Sequence, residues 1–283
     1  MNTDTDHSSF LLVDGAQLAL AEIVVPSPDN APEWLIHIYE SEAALVSPLL
    51  IDIFAAHCVG ASDEITALFS ALRPQLHASL IDTNLSHKAL AHHLRRFIMI
   101  RTEEGKAFTL RFADCTVLQT LSAVLARAQW AAMVGPIARW CVHDLDDGLR
   151  ELPPPEMILV PAPPPLVLSD EQITMLYEAT APSMMLAHLL EIAQGEALPG
   201  TPSEQHRWAS EARYFWRSAG SCDDIVLRWL TSAALETRRQ VLQKTGLPTL
   251  LKEAELPAIR ESLQAAVGDH HARQRREIGG KPA

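Results

Sequence analysis

The chain has 283 residues, of which 48% are apolar and 20% charged, which excludes disorder of the whole chain and predicts one large domain or two modest ones. The formal charge is −12, so a phosphate backbone would be repelled, and nucleic acid is not expected as the main partner. The N-terminus lacks a signal peptide's basic and apolar regions, and no apolar run reaches membrane length. We therefore expect a cytoplasmic protein with no membrane partner.

The cysteines also favour a reducing compartment. They show no CxxC pair and no disulfide-framework spacing, so we expect free thiols that pack as small apolar groups. The four positions are Cys58, Cys115, Cys141 and Cys222.

The clearest boundary along the chain is the proline-rich stretch 152–168. It holds seven of the nineteen prolines, and proline fixes φ and removes a backbone donor, so the stretch should be extended and helix-free. A ligand for a proline-binding module is the alternative to a linker. The predicted organisation is an α/β domain over 1–151, a linker over 152–168, a helical lobe over 169–268 and a flexible tail over 269–283.

Strand and helix patterns alternate in the first lobe. Alternating or continuous apolar runs predict short strands, and a polar cap followed by apolar residues at helical spacing predicts helices that begin near Ser62 and after Ser86. The predicted strands are Phe10–Val13, Trp34–Tyr39, Leu45–Ile53 and Ser79–Asp82.

A hairpin follows, with Ile98–Arg101 and Ala107–Phe112 on either side of a turn at Gly105. Asp114 can cap the next helix and pair with Arg111. Gly135-Pro136 should end a helix, a strand should follow over Ile137–His143, and Asp144–Gly148 should form an acidic turn.

Beyond the linker the apolar period becomes helical. Ser169 and Gln172 form a capping box, and further helices are predicted to begin near Pro182, Ser203, Asp223, Leu247 and Pro257. The predicted fold class is therefore α+β, with a mixed α/β N-terminal lobe of one mixed sheet and flanking helices, and an all-α C-terminal lobe.

The sequence offers little for chemistry. His87, His92 and His93 lie on one predicted helix, but the adjacent pair diverges around the axis, and no HExxH, GxSxG or phosphate-binding glycine loop occurs. We expect no metal, no cofactor and no enzymatic activity. A hydrolase with a dispersed site of Asp14, Asp114 and a histidine remains the alternative, although a turn and a helix cap explain these two carboxylates.

The ordered run from Leu94 to Trp140 resembles the signature of the type VI secretion effector adaptors, the Tap or Tec chaperones. In that signature a helix ends in Leu-Arg, a hairpin turns at Gly, Arg-Phe-x-Asp opens a helix, and Gly-Pro-Ile precedes a Trp. The resemblance covers residues 10–150. The matching residues are Leu94, Arg95, Gly105, Arg111, Phe112, Asp114, Gly135, Pro136 and Trp140, with Asp14 and Gly15 in the N-terminal strand.

Two positions depart from the family's pattern, because Ala113 stands where a Tyr is usual and Cys115 where a Pro is usual. Proline at the first helical position is pre-organised for the helix, so Cys115 should weaken that start slightly. The resemblance implies an adaptor that binds a toxic effector, often through its N-terminal region, and helps to load it onto the VgrG spike.

The partner surface is not marked by this signature. Four aromatic residues of the second lobe are candidates for a binding groove, although at helical spacing such residues are more often core. The acidic first lobe could also steer a basic partner segment. The four candidates are Trp208, Tyr214, Trp216 and Trp229.

Overall fold

The computed structural model describes residues 8–20, 22–39, 41–71, 78–144, 148–156, 161–194, 196–221 and 223–279. The chain forms two compact units, Met1–Ala179 and Thr180–Ala283. The first combines sheets with flanking helices and the second is helical, so the predicted fold class is confirmed.

The strands of the first unit form two sheets. The larger has the order β2-β3-β1-β4-β7-β8 with antiparallel pairs throughout, and the smaller has the order β6-β5-β9. The strands are β1 Ser8–Val13, β2 Leu35–His37, β3 Leu49–Asp52, β4 Ala78–Thr83, β5 Met99–Thr102, β6 Ala107–Thr109, β7 Ile137–His143, β8 Leu149–Glu151 and β9 Leu166–Leu168.

Both faces of the larger sheet are buried. Successive side chains of a strand point to opposite faces, so Phe10 and Leu12 enter one core while Leu11 and Val13 enter another. Helices α4 and α5 contribute to the first core and α1, α2 and α3 to the second. The helices of the layered part are α1 Gly15–Leu20, α2 Ile53–Cys58, α3 Ser62–Ala71, α4 His87–Arg95, α5 Cys115–Val124 and α6 Arg127–Val134.

The predicted strand over Leu45–Ile53 is shorter than expected. A 3-10 segment occupies Ser41–Val46, and β3 stops at Asp52, whose side chain accepts a 2.9 Å hydrogen bond from the Ala55 N–H and begins α2. The carboxylate at the cap competes with continued strand pairing, which the apolar pattern alone does not reveal.

The proline-rich stretch also differs from the expected linker in its described part. Leu166–Leu168 forms β9, which pairs in parallel with β5, and Leu152, Leu166 and Leu168 are buried in the first unit. The prolines keep the backbone extended, but the leucines beside them remain free to pack. The division between the units falls at Ala179, inside α7.

The second half of the chain is built from α7 Asp170–Ile192, α8 Pro202–Ser218, α9 Asp224–Glu236, α10 Leu247–Glu253 and α11 Leu256–Gly279. The predicted helix start at Pro182 is wrong, because α7 continues through this proline. Loss of one backbone hydrogen bond does not end a helix that is anchored on both sides, here by the Ser169–Gln172 capping box and by buried Leu189.

Two other helix boundaries differ from the prediction. Thr201, not Ser203, caps α8 in a capping box with Glu204. Helix α9 ends at Glu236, and Arg238 and Arg239 just beyond it adopt positive φ angles of 45° and 74°. Where a flexible tail was expected, α11 continues to Gly279, because Ala266 and His270, one turn apart, keep one face buried.

Candidate functional site

The three histidines of α4 bind different parts of the fold or face solvent. His87 Nε2 lies 3.0 Å from the Leu50 carbonyl oxygen, His93 Nε2 lies 2.7 Å from that of Met133, and His92 is exposed. Burial lowers the pKa of His93. Within the described ranges no group of three or more His, Cys, Asp or Glu side chains could hold a metal ion.

Asp14 is the most constrained carboxylate of the signature. It is 3% exposed, its Oδ1 accepts a 3.0 Å hydrogen bond from the Ala16 N–H, and its Oδ2 lies 2.6 Å from Arg111 Nη2. The expected Arg111–Asp114 pair is therefore replaced by a pair between residues 97 positions apart. Oδ1 of Asp14 thus binds the backbone at the start of α1, and Oδ2 forms the ion pair with Arg111.

The environment of this pair changes the pKa values of Arg111 and of the neighbouring Tyr39. Burial lowers the pKa of Arg111, but the charge and hydrogen bond of Asp14 more than offset it, so the net pKa is raised. Burial and then the Asp14 charge raise the pKa of Tyr39. Tyr39 is therefore a neutral phenol at neutral pH, and the Arg111 guanidinium beside it is charged.

Gly15 lies against the same part of the fold. A Cβ at this position would overlap the Ser47 carbonyl oxygen, so no larger residue fits without backbone movement. Ser47 Oγ in turn accepts a 2.8 Å hydrogen bond from the Tyr39 N–H and donates to the Pro48 carbonyl oxygen.

Arg95 fixes the preceding segment. Its Nε donates to the Ile38 carbonyl oxygen at 3.1 Å and its Nη2 to that of His37 at 2.9 Å. Signature residues from three distant parts of the chain thus hold the connection between β2 and β3. Sequence reasoning missed this convergence, since it depends on long-range packing.

Asp114 performs the predicted capping. Its Oδ1 accepts hydrogen bonds from the N–H groups of Thr116 and Val117 at 2.9 and 3.4 Å, at the start of α5. Cys115 at the first helical position is fully buried, its Sγ lies 3.1 Å from the Ala78 carbonyl oxygen, and burial raises its pKa to about 12. This thiol is therefore unreactive at neutral pH.

The remaining signature residues are also structural. Gly105 has a φ of 83° in the β5–β6 turn, and a Cβ on Gly135 would lie 2.7 Å from the Ala131 carbonyl oxygen. The Pro136 carbonyl oxygen accepts a 2.6 Å hydrogen bond from Thr83. Trp140 Nε1 donates to Ser79 Oγ at 2.9 Å. Leu94, Phe112 and Trp140 are at most 2% exposed.

The four aromatic candidates of the second unit have different environments. Trp208 is 4% exposed and belongs to the core, so it offers no surface to a partner. Trp216 Nε1 donates to the Asp223 carbonyl oxygen, and Trp229 packs on the core with Arg260 over its ring. Tyr214 is 69% exposed.

Helix α7 carries exposed apolar residues that the sequence analysis did not identify, among them Met184 and Ile192. These two lie eight residues apart with the exposed His188 between them, and we call the three residues the α7 patch. Met184 and Ile192 are 54% and 55% exposed, whereas Met185, Leu186 and Leu189 contact the core of the second unit. Spacing gave no signal for Ile192, because Met185, Leu189 and Ile192 have the i, i+4, i+7 spacing of a single helix face.

Comparison with known proteins gives one match. Residues 9–132 match the family model described as a domain of unknown function (DUF4123). That family is known for type VI secretion effector chaperones and adaptors. No curated protein and no solved structure matches the chain significantly. The match includes Asp14, Gly15, Arg111 and Asp114 and ends before Gly135.

The acidic turn predicted over Asp144–Gly148 lies partly outside the described residues, because Asp146 and Asp147 are not among them. The Gly148 N–H donates to Asp144 Oδ1 at 2.8 Å, and β8 pairs with β7 beyond it. In the described part of the chain, no helix combines the length and apolar character that a membrane crossing requires.

Proposed function

We propose that this protein is a cytoplasmic adaptor-chaperone that binds a type VI secretion effector and assists its loading onto a VgrG-type spike protein. The observation that carries the proposal is the match of residues 9–132 to a family of such adaptors. The mixed α/β first unit, in which the signature residues Asp14 and Arg111 form an ion pair, supports this proposal.

The signature residues themselves are not the proposed contact surface. Asp14, Gly15 and Phe112 are buried, Asp114 caps α5, and Arg111 is committed to Asp14. A partner needs solvent-facing groups, and exposed apolar side chains provide the largest gain on burial. The partner surface is therefore expected outside the signature.

The α7 patch is the surface we propose for the effector. Met184 and Ile192 are each more than half exposed, and neither belongs to the core of the second unit. Methionine adapts its shape to different apolar partners, and two apolar anchors eight residues apart on a helix suit an amphipathic segment. The proposed occupant is an apolar segment from the N-terminal region of the effector.

The contacts of Asp14 and Asp114 do not favour the alternative of a hydrolase that uses these two carboxylates. The two oxygens of Asp14 accept the Ala16 N–H and pair with Arg111, and Asp114 is directed at the N–H groups of α5. A general base needs a carboxylate free to reach substrate.

Co-expression tests the proposal. The chain, tagged and produced together with the type VI effector encoded beside it, should co-purify with that effector as a stable complex. Adding the cognate VgrG protein should then give effector–VgrG association only when the chain is present. An effector that binds VgrG equally well without this chain, or no complex with either protein, would contradict the proposal.

A further inference from the structure

The second unit contains a polar pocket that none of the preceding functions uses. It has a volume of about 370 Å³ and lies between the end of α9, the 3-10 turn Gln240–Gln243 and α11. The lining residues are Thr237, Gln240, Val241, Gln243, Lys244, Ala266, His270 and Arg273.

The charged side chains known to line this pocket are positive. Lys244 and Arg273 are both exposed cations, and no carboxylate is among the described residues that line the pocket. Neither cation forms an ion pair with a residue in the part of the chain that the structure describes. Ammonium and guanidinium groups facing one cavity without a neighbouring acid favour an anionic occupant.

His270 gives an independent indication. The residue is only 6% exposed, and its Nδ1 lies 3.1 Å from Gln240 Oε1. Its Nε2 is buried and has no hydrogen-bond partner among the residues that the structure describes. A buried polar atom left without a partner is unfavourable, and an Nε2–H at this position can donate a hydrogen bond to an oxygen of a bound anion.

We propose that this pocket binds a small ligand through an oxyanion group, a carboxylate or a phosphate. Lys244 and Arg273 supply the positive charge, His270 supplies a buried donor, and the Gln240 and Gln243 amides line the walls. Charge-assisted hydrogen bonds of this kind are stronger than neutral ones. The site does not depend on the proposed adaptor function.

Arg275 and Arg276 make a matched control available. Both lie on α11 within one turn of Arg273, both are exposed, and neither lines the pocket. Replacing Arg275 by Gln removes the same charge as replacing Arg273 by Gln. A loss caused by the net charge alone would therefore be equal in the two variants.

The test is a titration of the full chain followed by NMR of the His270 imidazole. Inorganic phosphate and citrate are added in separate experiments at constant ionic strength, with sodium chloride as the reference. We expect a saturable shift with at least one of the two oxyanions and none with chloride. Phosphate alone would identify a phosphate site, and citrate alone a carboxylate site.

Arg273→Gln and Lys244→Gln should each weaken binding about tenfold, whereas Arg275→Gln should leave it within about twofold of the unmodified chain. Thermal unfolding should be unchanged in all three, because the altered side chains are exposed. The absence of saturation with both oxyanions, or an equal loss in Arg275→Gln and Arg273→Gln, would overturn the proposal.

Discussion

In the first unit, the residues that resemble a family signature form contacts or turns that shape the fold, whereas in the second unit apolar and cationic side chains face solvent or an open pocket. Asp14 and Gly15 are buried at the start of α1, and Arg111 is held by Asp14. Met184 and Ile192 are more than half exposed, and Lys244 and Arg273 have no ion-pair partner among the described residues.

This difference shows that the residues that identify a family need not be the residues that bind its partner. The signature marks positions where the fold accepts few residue types, such as Gly15, where a Cβ would overlap a carbonyl oxygen. A binding surface needs only exposed groups of suitable chemistry. Substitutions in the first unit should therefore change stability, and those on the α7 patch should change binding.

The largest expected effect is that of Gly15→Ala. The added Cβ would overlap the Ser47 carbonyl oxygen, so backbone must move, and we expect the free energy of unfolding to fall by about 3 kcal/mol. Gly246→Ala is the control, because Gly246 has a φ of −84° and open space around it. Denaturant unfolding of both variants measures the difference, and equal stability would contradict the proposed packing role.

A smaller loss is expected for Arg111→Met. It leaves the 3%-exposed Asp14 carboxylate without its cation, and we expect about 2 kcal/mol, since half-exposed Arg111 is partly screened by water. Lys106→Met removes the exposed pair with Glu104 and should change stability by less than about 1 kcal/mol. Chemical unfolding measures the free energy of unfolding of both variants. An equal loss in the two would show that the Asp14–Arg111 pair stabilises the fold no more than the exposed Lys106–Glu104 pair does.

Each unit also contains a histidine whose pKa is lowered by burial, His93 in the first and His206 in the second. The unfolded chain then binds a proton more readily than the folded one. Stability is therefore present above the ordinary pKa of 6.5 and is lost as the pH falls from there toward the lowered folded pKa.

The expected loss is up to about 1.4 kcal/mol per pH unit for each histidine. Hydrogen exchange followed by mass spectrometry between pH 7 and pH 5 reports the two units on separate peptides. His93→Gln should flatten the pH dependence of the first unit, and His206→Gln that of the second. An unchanged slope in either variant would show that another group causes the acid sensitivity.

Local chemistry was the predictable part of this molecule. The Asp114 cap, the Ser169–Gln172 capping box and the Gly105 turn each depend on residues a few positions apart. The Asp14–Arg111 pair joins positions 97 apart, and the sequence instead suggested the nearer Asp114. Long-range partners are chosen by packing, which local spacing does not encode.

The surfaces were less predictable for the same reason. The aromatic pattern of α8 could not tell Trp208, which is 4% exposed, from Tyr214, which is 69% exposed, because the side that faces the core depends on the other helices. The pocket at His270 was not predicted because a flexible tail was expected from residue 269, where α11 instead continues to Gly279.

The most direct test of an effector surface outside the signature is calorimetric titration of the effector's N-terminal region into two double variants. Met184→Ser with Ile192→Ser alters the α7 patch, and Met175→Ser with Leu190→Ser removes two other exposed apolar residues of the same helix. The first should weaken binding about tenfold or more, and the second should stay within about twofold. Unchanged affinity in the first variant, or an equal loss in both, would contradict the proposed surface.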